Sequence, residues 1–153
     1  MKKNSKKAVL CYVQARLVYP DNSEKEVMVL LDSCADRSYI AEDCANGLIH
    51  DSQTTIQEIS GLNGTTTCFY SKVVTVRLRS SGRTEGVDLL VRALTSPRVC
   101  VAIPPVTIVP GREFSEFRNI PFSVKYPHGR KNFDFLIGAD HFWSVIRAPF
   151  VCT

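Results

Sequence analysis

Five apolar residues, Val27 to Leu31, run without interruption into a carboxylate in the stretch VMVLLD. A continuous apolar run of this length, flanked by turn-forming residues, suits a strand buried on both faces. The segment before it is different. Val9, Cys11, Val13, Ala15, Leu17 and Tyr19 occupy its odd positions, while Gln14 and Arg16 fall on even ones. That period of two describes a strand with one buried face. Between the two lies PDNSEKE, rich in residues that pre-set φ or bond their own backbone, so the strands read as a hairpin. A strand covered on both faces needs other strands wrapped around it, and this one delivers Asp32 at its end.

The remaining chain supplies those strands. SYI, Ser38 to Ile40, reads as a brief strand, and AEDCANGL as a short helix ended by Gly47, a residue suited to a left-handed C-terminal cap. TTIQEIS is β-prone and leads into GLNG, Gly61 to Gly64, whose two glycines supply the positive φ of a tight turn. This is a second hairpin with a flexible tip. In the third, Val74, Val76 and Leu78 alternate with Thr75, Arg77 and Arg79, SSGRTEG makes the turn and VDLLVRAL returns. Residues 96–132 are Pro-rich with little alternation, and read as a long surface insert. FDFLIG is another apolar strand, ending at Gly138. ADHFWSVI follows as a short helix with Phe142, Val145 and Ile146 on one face, and APFVCT is a candidate closing strand. The expected fold is mostly β, with one or two short helices.

Charge and cysteine content narrow the function classes. The 153 residues suit one domain, over 8–153. The net charge of +4 resides in Lys2, Lys3, Lys6 and Lys7, and without them the basic and acidic residues balance. Residues 1–7 therefore read as a basic, disordered tail, and a nucleic-acid partner is not expected. No apolar run reaches the length that spans a bilayer. None of the six cysteines forms a Cys-x-x-Cys pair, and the three histidines are not spaced with them as a zinc site requires. The cysteines read as mostly reduced thiols of a cytoplasmic protein, with neither metal nor cofactor expected.

Taken alone, Asp32 reads as a turn residue. Its company changes this. The pattern apolar-apolar-Asp-Ser-x-Ala in VLLDSCADRSYI, followed about a hundred residues later by apolar-apolar-Gly and a helix in FDFLIGADHFW, resembles the retropepsin-like aspartic proteases. The second motif is most similar to the peptidase region of BEL/Pao-type retrotransposon polyproteins. The resemblance implies a closed β-barrel fold and a homodimer, because each chain supplies one aspartate. Two Asp32 carboxylates would share a proton across the symmetry axis. The ionised one would act as base on a water, and the protonated one would polarise the scissile carbonyl of a polypeptide substrate.

Site roles follow from the same resemblance. Ser33 matches the hydroxyl that braces the catalytic loop, and Ala35 a small residue packed beneath it. Asp36 matches an acid that holds substrate backbone; otherwise it is a solvated turn acid. Gly138 matches the glycine that lets the second strand pass close behind the loop. Gly61, Leu62, Asn63 and Gly64 match the tip of a flap closing over the peptide, or else form a plain exposed turn. Asp140 reads as helping to start its helix, and Phe142 and Trp143 as core. Cys34 departs from the family, which has Gly there. It motivates the alternative of a catalytically inactive module that dimerises or binds peptides.

Overall fold

The computed structural model describes residues 12–61, 63–80, 88–99 and 132–146. The tail at 1–7, the closing-strand candidate after residue 146 and most of the insert at 96–132 lie outside them, as does Leu62. Among the described residues, seven strands and two short helices follow in the order β1 (Tyr12–Val18), β2 (Glu24–Leu31), β3 (Tyr39–Ala41), α1 (Glu42–Ala45), β4 (His50–Ser60), β5 (Thr66–Ser80), β6 (Leu89–Ser96), β7 (Phe135–Ile137) and α2 (Ala139–Val145).

The strands form one sheet in the order β1-β2-β7-β3-β6-β5-β4, and a further pairing of β1 with β5 closes six of them into a ring. Closure depends on the length of β5. Its first half pairs with β4, from Ser60↔Thr66 to His50↔Val74. Its second half pairs with β6 on one edge and, from Ala15↔Ser80 to Val18↔Arg77, with β1 on the other. The β4–β5 hairpin thus projects from the ring, and β4 is exposed along nearly its whole length.

The alternation read from the sequence sets the core. Ala15 and Leu17 of β1, Val74, Val76 and Leu78 of β5, and Val91 and Ala93 of β6 point inward. On β2, Val27, Val29 and Leu31 join this main cluster, while Leu30 faces the other way onto Phe133 and Leu136. The apolar run is therefore covered on both faces, as its composition requires. Each such fully buried aliphatic side chain contributes about 1.5–3 kcal/mol.

Two expectations need correction. The first turn is shorter than PDNSEKE, because Asn22 reverses the chain at φ 64° and Asp21 accepts the Ser23 N–H at 2.9 Å, which lets β2 begin at Glu24. Trp143 is not core: it is 69% exposed, with Phe142 packed edge-on against it and turned toward the main cluster. The helix is too short to bury more than one stripe, and Phe142, Val145 and Ile146 take it.

Where β1 meets β5, like charges face each other, since Arg16 lies opposite Arg79. Acids neutralise them. Glu24 accepts from both Arg16 and Arg79, and Asp88 accepts from Arg79 and Arg77. The two guanidiniums, Arg79 first, hold the Asp88 carboxyl down at about 2. A carboxyl lowered by folding contributes stability above its ordinary value of 3.8, and that contribution disappears as pH falls toward about 2. Asp88→Asn is therefore expected to lower Tm at neutral pH and to flatten the acid limb of Tm against pH in that window. An unchanged limb would count against the network.

Candidate active site

β2 and β3 are joined by the loop Asp32–Ser38, yet they are not neighbours. β7 lies between them, parallel to β2 through Leu31↔Ile137 and antiparallel to β3 through Tyr39↔Leu136. The loop therefore crosses the end of β7. Asp134 secures the other end of this insertion. Its carboxylate accepts the Met28 N–H at 2.9 Å, its own N–H donates to Met28 O at 3.0 Å, and its carbonyl accepts the Ala41 N–H at 2.9 Å. A carboxylate between Phe133 and Phe135 has to find backbone donors, and here they come from the strands on either side.

The crossing is tight, and Gly138 makes it possible. A Cβ at Gly138 would run into the Arg37 carbonyl group and come within 2.8 Å of Ala35 O. These are backbone atoms, so no rotamer change relieves the overlap. The contact is also hydrogen-bonded. The Asp32 N–H donates to Ile137 O at 3.0 Å, and the Ala139 N–H donates to Ala35 O at 2.7 Å. Ser38, fully buried, completes it. Its hydroxyl accepts the Gly138 N–H at 3.1 Å and donates to Asp140 Oδ1 at 2.7 Å, while its N–H donates to Asp140 Oδ2 at 3.2 Å. Asp140 thus ties α2 to the loop. It is also the acid of the first turn of α2, in line with the reading from the sequence, although the N-cap itself is Gly138 and no side chain caps that end.

On the loop itself, Asp32 and Ala35 are half-buried, and Ser33, Cys34 and Asp36 are exposed. Ala35 packs against the small cluster of Leu30, Phe133 and Leu136. Asp32 Oδ1 accepts the Cys34 N–H at 2.9 Å, a local turn bond that fixes one carboxylate oxygen. Cys34 is a free thiol. Among the described non-glycine residues only Asn22 has positive φ, so the backbone at position 34 accepts a side chain without strain. The departure from glycine there is a question of space in front of the loop, not of backbone conformation.

The tip of the β4–β5 hairpin is a tight turn. The Gly61 N–H donates to Thr65 O at 2.9 Å and the Gly64 N–H to Gly61 O at 3.0 Å, with Gly64 at φ 75°. Asn63 Oδ1 accepts the Thr65 N–H. The hairpin reaches the loop region below its tip, where Phe69 meets Tyr39 edge to face with ring centroids 6.5 Å apart. Burial pushes the Tyr39 hydroxyl up, and the Asp36 charge adds to this. The structure thus brings Asp32, Ser33, Cys34, Ala35 and Asp36 together with Gly138. It sets Gly61, Asn63 and Gly64 on a separate hairpin linked to them through Tyr39 and Phe69.

Sequence reasoning missed Ser38, Tyr39, Phe69 and Asp134 as parts of this assembly. The carboxylate inside an apolar strand was a usable signal for Asp134. Nothing local marks Ser38, whose partners are about a hundred residues away.

Comparison with protein-family models and with curated proteins finds no match.

Gly138→Ala is expected to destabilise by about 1–3 kcal/mol or more, through overlap with backbone. Ser38→Ala, which strips the buried Gly138 N–H of its acceptor, is expected to cost about 1–3 kcal/mol. Urea unfolding monitored by Trp143 fluorescence measures both. Wild-type midpoints for both variants would contradict this description of the crossing.

Proposed function

We propose that the chain is a retropepsin-like aspartic endopeptidase of retroelement origin, most similar to the BEL/Pao-type group, and that it works as a homodimer on polypeptide substrates. The observation that carries the reading is the passage of Gly138 directly behind the Asp32 loop, with β7 held between the two strands that the loop connects. The two resembling motifs, far apart in sequence, are in contact there.

The rest of the geometry fits that chemistry. Asp32 stands at the end of a strand buried on both faces, on a loop whose backbone is bonded to β7, so its carboxylate is held in place rather than mobile. One chain offers one such carboxylate. A second copy, related by a two-fold axis, would supply the other, and two like charges that close would share one proton. The ionised partner then takes a proton from water as the water attacks the carbonyl carbon. The protonated partner donates to the carbonyl oxygen; as the C–N bond breaks, the leaving nitrogen takes the proton removed from the water, and a diol hydroxyl returns its proton to the dyad. The ring closed by β1 and β5 corresponds to the barrel of this fold, and the β4–β5 hairpin to the flap that excludes water.

A second reading, the same fold as a dimerising or peptide-binding module without catalysis, is favoured by Cys34. Its side chain is exposed, and its backbone N–H is bonded to the Asp32 carboxylate.

Wild-type protein is expected to cleave unstructured polypeptides at mildly acid pH and to scatter light as twice the chain mass, and Asp32→Asn is expected to abolish cleavage. Activity surviving in Asp32→Asn would remove the dyad from the account. A dimer that cleaves only as Cys34→Gly would favour the binding module.

A further inference from the structure

On the far side of the molecule from the Asp32 loop's surface, β2 begins beside α1, and four chemically active side chains gather there. Lys25 of β2 donates from Nζ to the Cys44 sulfur at 3.6 Å. Cys44 is a free thiol, only 2% exposed. The Asp134 carboxylate is near enough for its charge to oppose ionisation of the thiol. The Tyr19 hydroxyl donates to the Cys44 carbonyl at 3.0 Å, which fixes α1 against the end of β1. A shallow cleft of about 400 Å³ lies on the other side of Tyr19, lined by Tyr19, Pro20, Asp21, Ser23, Asn46 and Gly47. None of the assigned roles of the Asp32 loop uses Lys25 or Cys44.

We propose that Lys25 and Cys44 form an oxidation-driven covalent bridge, a sulfur–nitrogen bond between Cys44 Sγ and Lys25 Nζ, with hydrogen peroxide as the oxidant. The pair has the geometry for it: an amine on a flexible four-carbon stem already rests on a thiol that is otherwise enclosed. The first step takes sulfur to the sulfenic acid. Cys44, its proton released to water, attacks one peroxide oxygen; the O–O bond breaks, and the departing hydroxide takes up a proton and leaves as water. In the second step the Lys25 amine, having lost its proton to solvent, attacks the sulfenic sulfur. The S–N bond forms, the S–O bond breaks and a second water departs. One peroxide is reduced to two waters, and thiol plus amine are oxidised by two electrons. The product is lighter than its parts by two hydrogens, and a thiol reductant returns it to Lys and Cys.

Burial holds the Cys44 thiol up, Asp134 adding to this and Lys25 opposing it. The first step is accordingly slower than for an exposed thiol of ordinary acidity. Enclosure also protects the product, because the sulfenic acid has the Lys25 amine as its nearest nucleophile and is screened from other thiols. The bridge ties the start of β2 to the helix after β3. It therefore clips together the two strands that flank β7.

The test uses the full reduced chain. Exposed thiols, Cys34 and Cys68 among the described residues, are first capped with iodoacetamide under native conditions. The protein is then treated with hydrogen peroxide, unfolded, digested and analysed by mass spectrometry. The expected product joins the Lys25 peptide to the Cys44 peptide with two hydrogens lost. It disappears with dithiothreitol and is absent from Lys25→Arg, an exposed substitution that keeps the charge and the fold. Tm is expected to rise by a few degrees on oxidation in wild type alone, and to fall back on reduction. Recovery of Cys44 as a free thiol, or as an unlinked sulfinic or sulfonic acid, would overturn the proposal. So would equal linkage in Lys25→Arg.

Discussion

Everything near Asp32 depends on a three-residue strand, β7, being inserted between β2 and β3. Those two strands are close in sequence and could have paired directly through a short turn. Instead the chain between them has to arch over the end of β7, and the arch is where Asp32, Ser33, Cys34 and Ala35 stand. The insertion has a steric condition and a hydrogen-bonding condition. Gly138 meets the first, since the Arg37 carbonyl group occupies the space of any Cβ. Ser38 and Asp134 meet the second, at opposite ends of β7. Because each bond is buried or half-buried and joins segments about a hundred residues apart, the arch is only as stable as the ring that encloses it.

The ring is built by ordinary means. Alternating residues on β1, β5 and β6 fill its interior, and the doubly covered β2 separates a large cluster from a small one. Its weak point is the seam between β1 and β5, where arginines face each other and two acids compensate. Surface pairs of this kind contribute little singly. As a connected set on β1, β2, β5 and the residue before β6, they favour the register that closes the ring over alternatives that would leave like charges opposed. Apolar burial holds the ring together, and charge selects where it closes.

Local patterns in the sequence carried most of the fold. Period-two alternation placed β1 and β5, the turn after β5 placed β6 as its return strand, and the unbroken run Val27–Leu31 announced a strand with both faces covered. Gly47 at φ 88° ends the short helix where its position suggested. What local pattern cannot express is which distant segments meet. Ser38 looks like the start of a short strand until Asp140 and Gly138 are set against it, and Asp140, an acid of the first turn of α2, shows nothing locally of its bond to Ser38. Trp143 misled because large aromatic side chains are mostly buried, whereas a helix of seven residues has one face to bury and three other residues already fill it. At the candidate site, the resemblance of two short motifs supplied Asp32 and Gly138. The physical link between them, one crossing behind the other, was not legible in either alone.

The proposed homodimer requires the arch over β7 to present Asp32 where a second copy can meet it. A crystal structure of the protein as it exists in solution measures this directly, as the separation of the Asp32 carboxylates of two chains. The account predicts a two-fold axis at the arch, with the two carboxylates within hydrogen-bonding distance of each other and Ser33 of each chain beside them. A dimer joined through another surface, with the two Asp32 side chains facing away from each other into solvent, would contradict it.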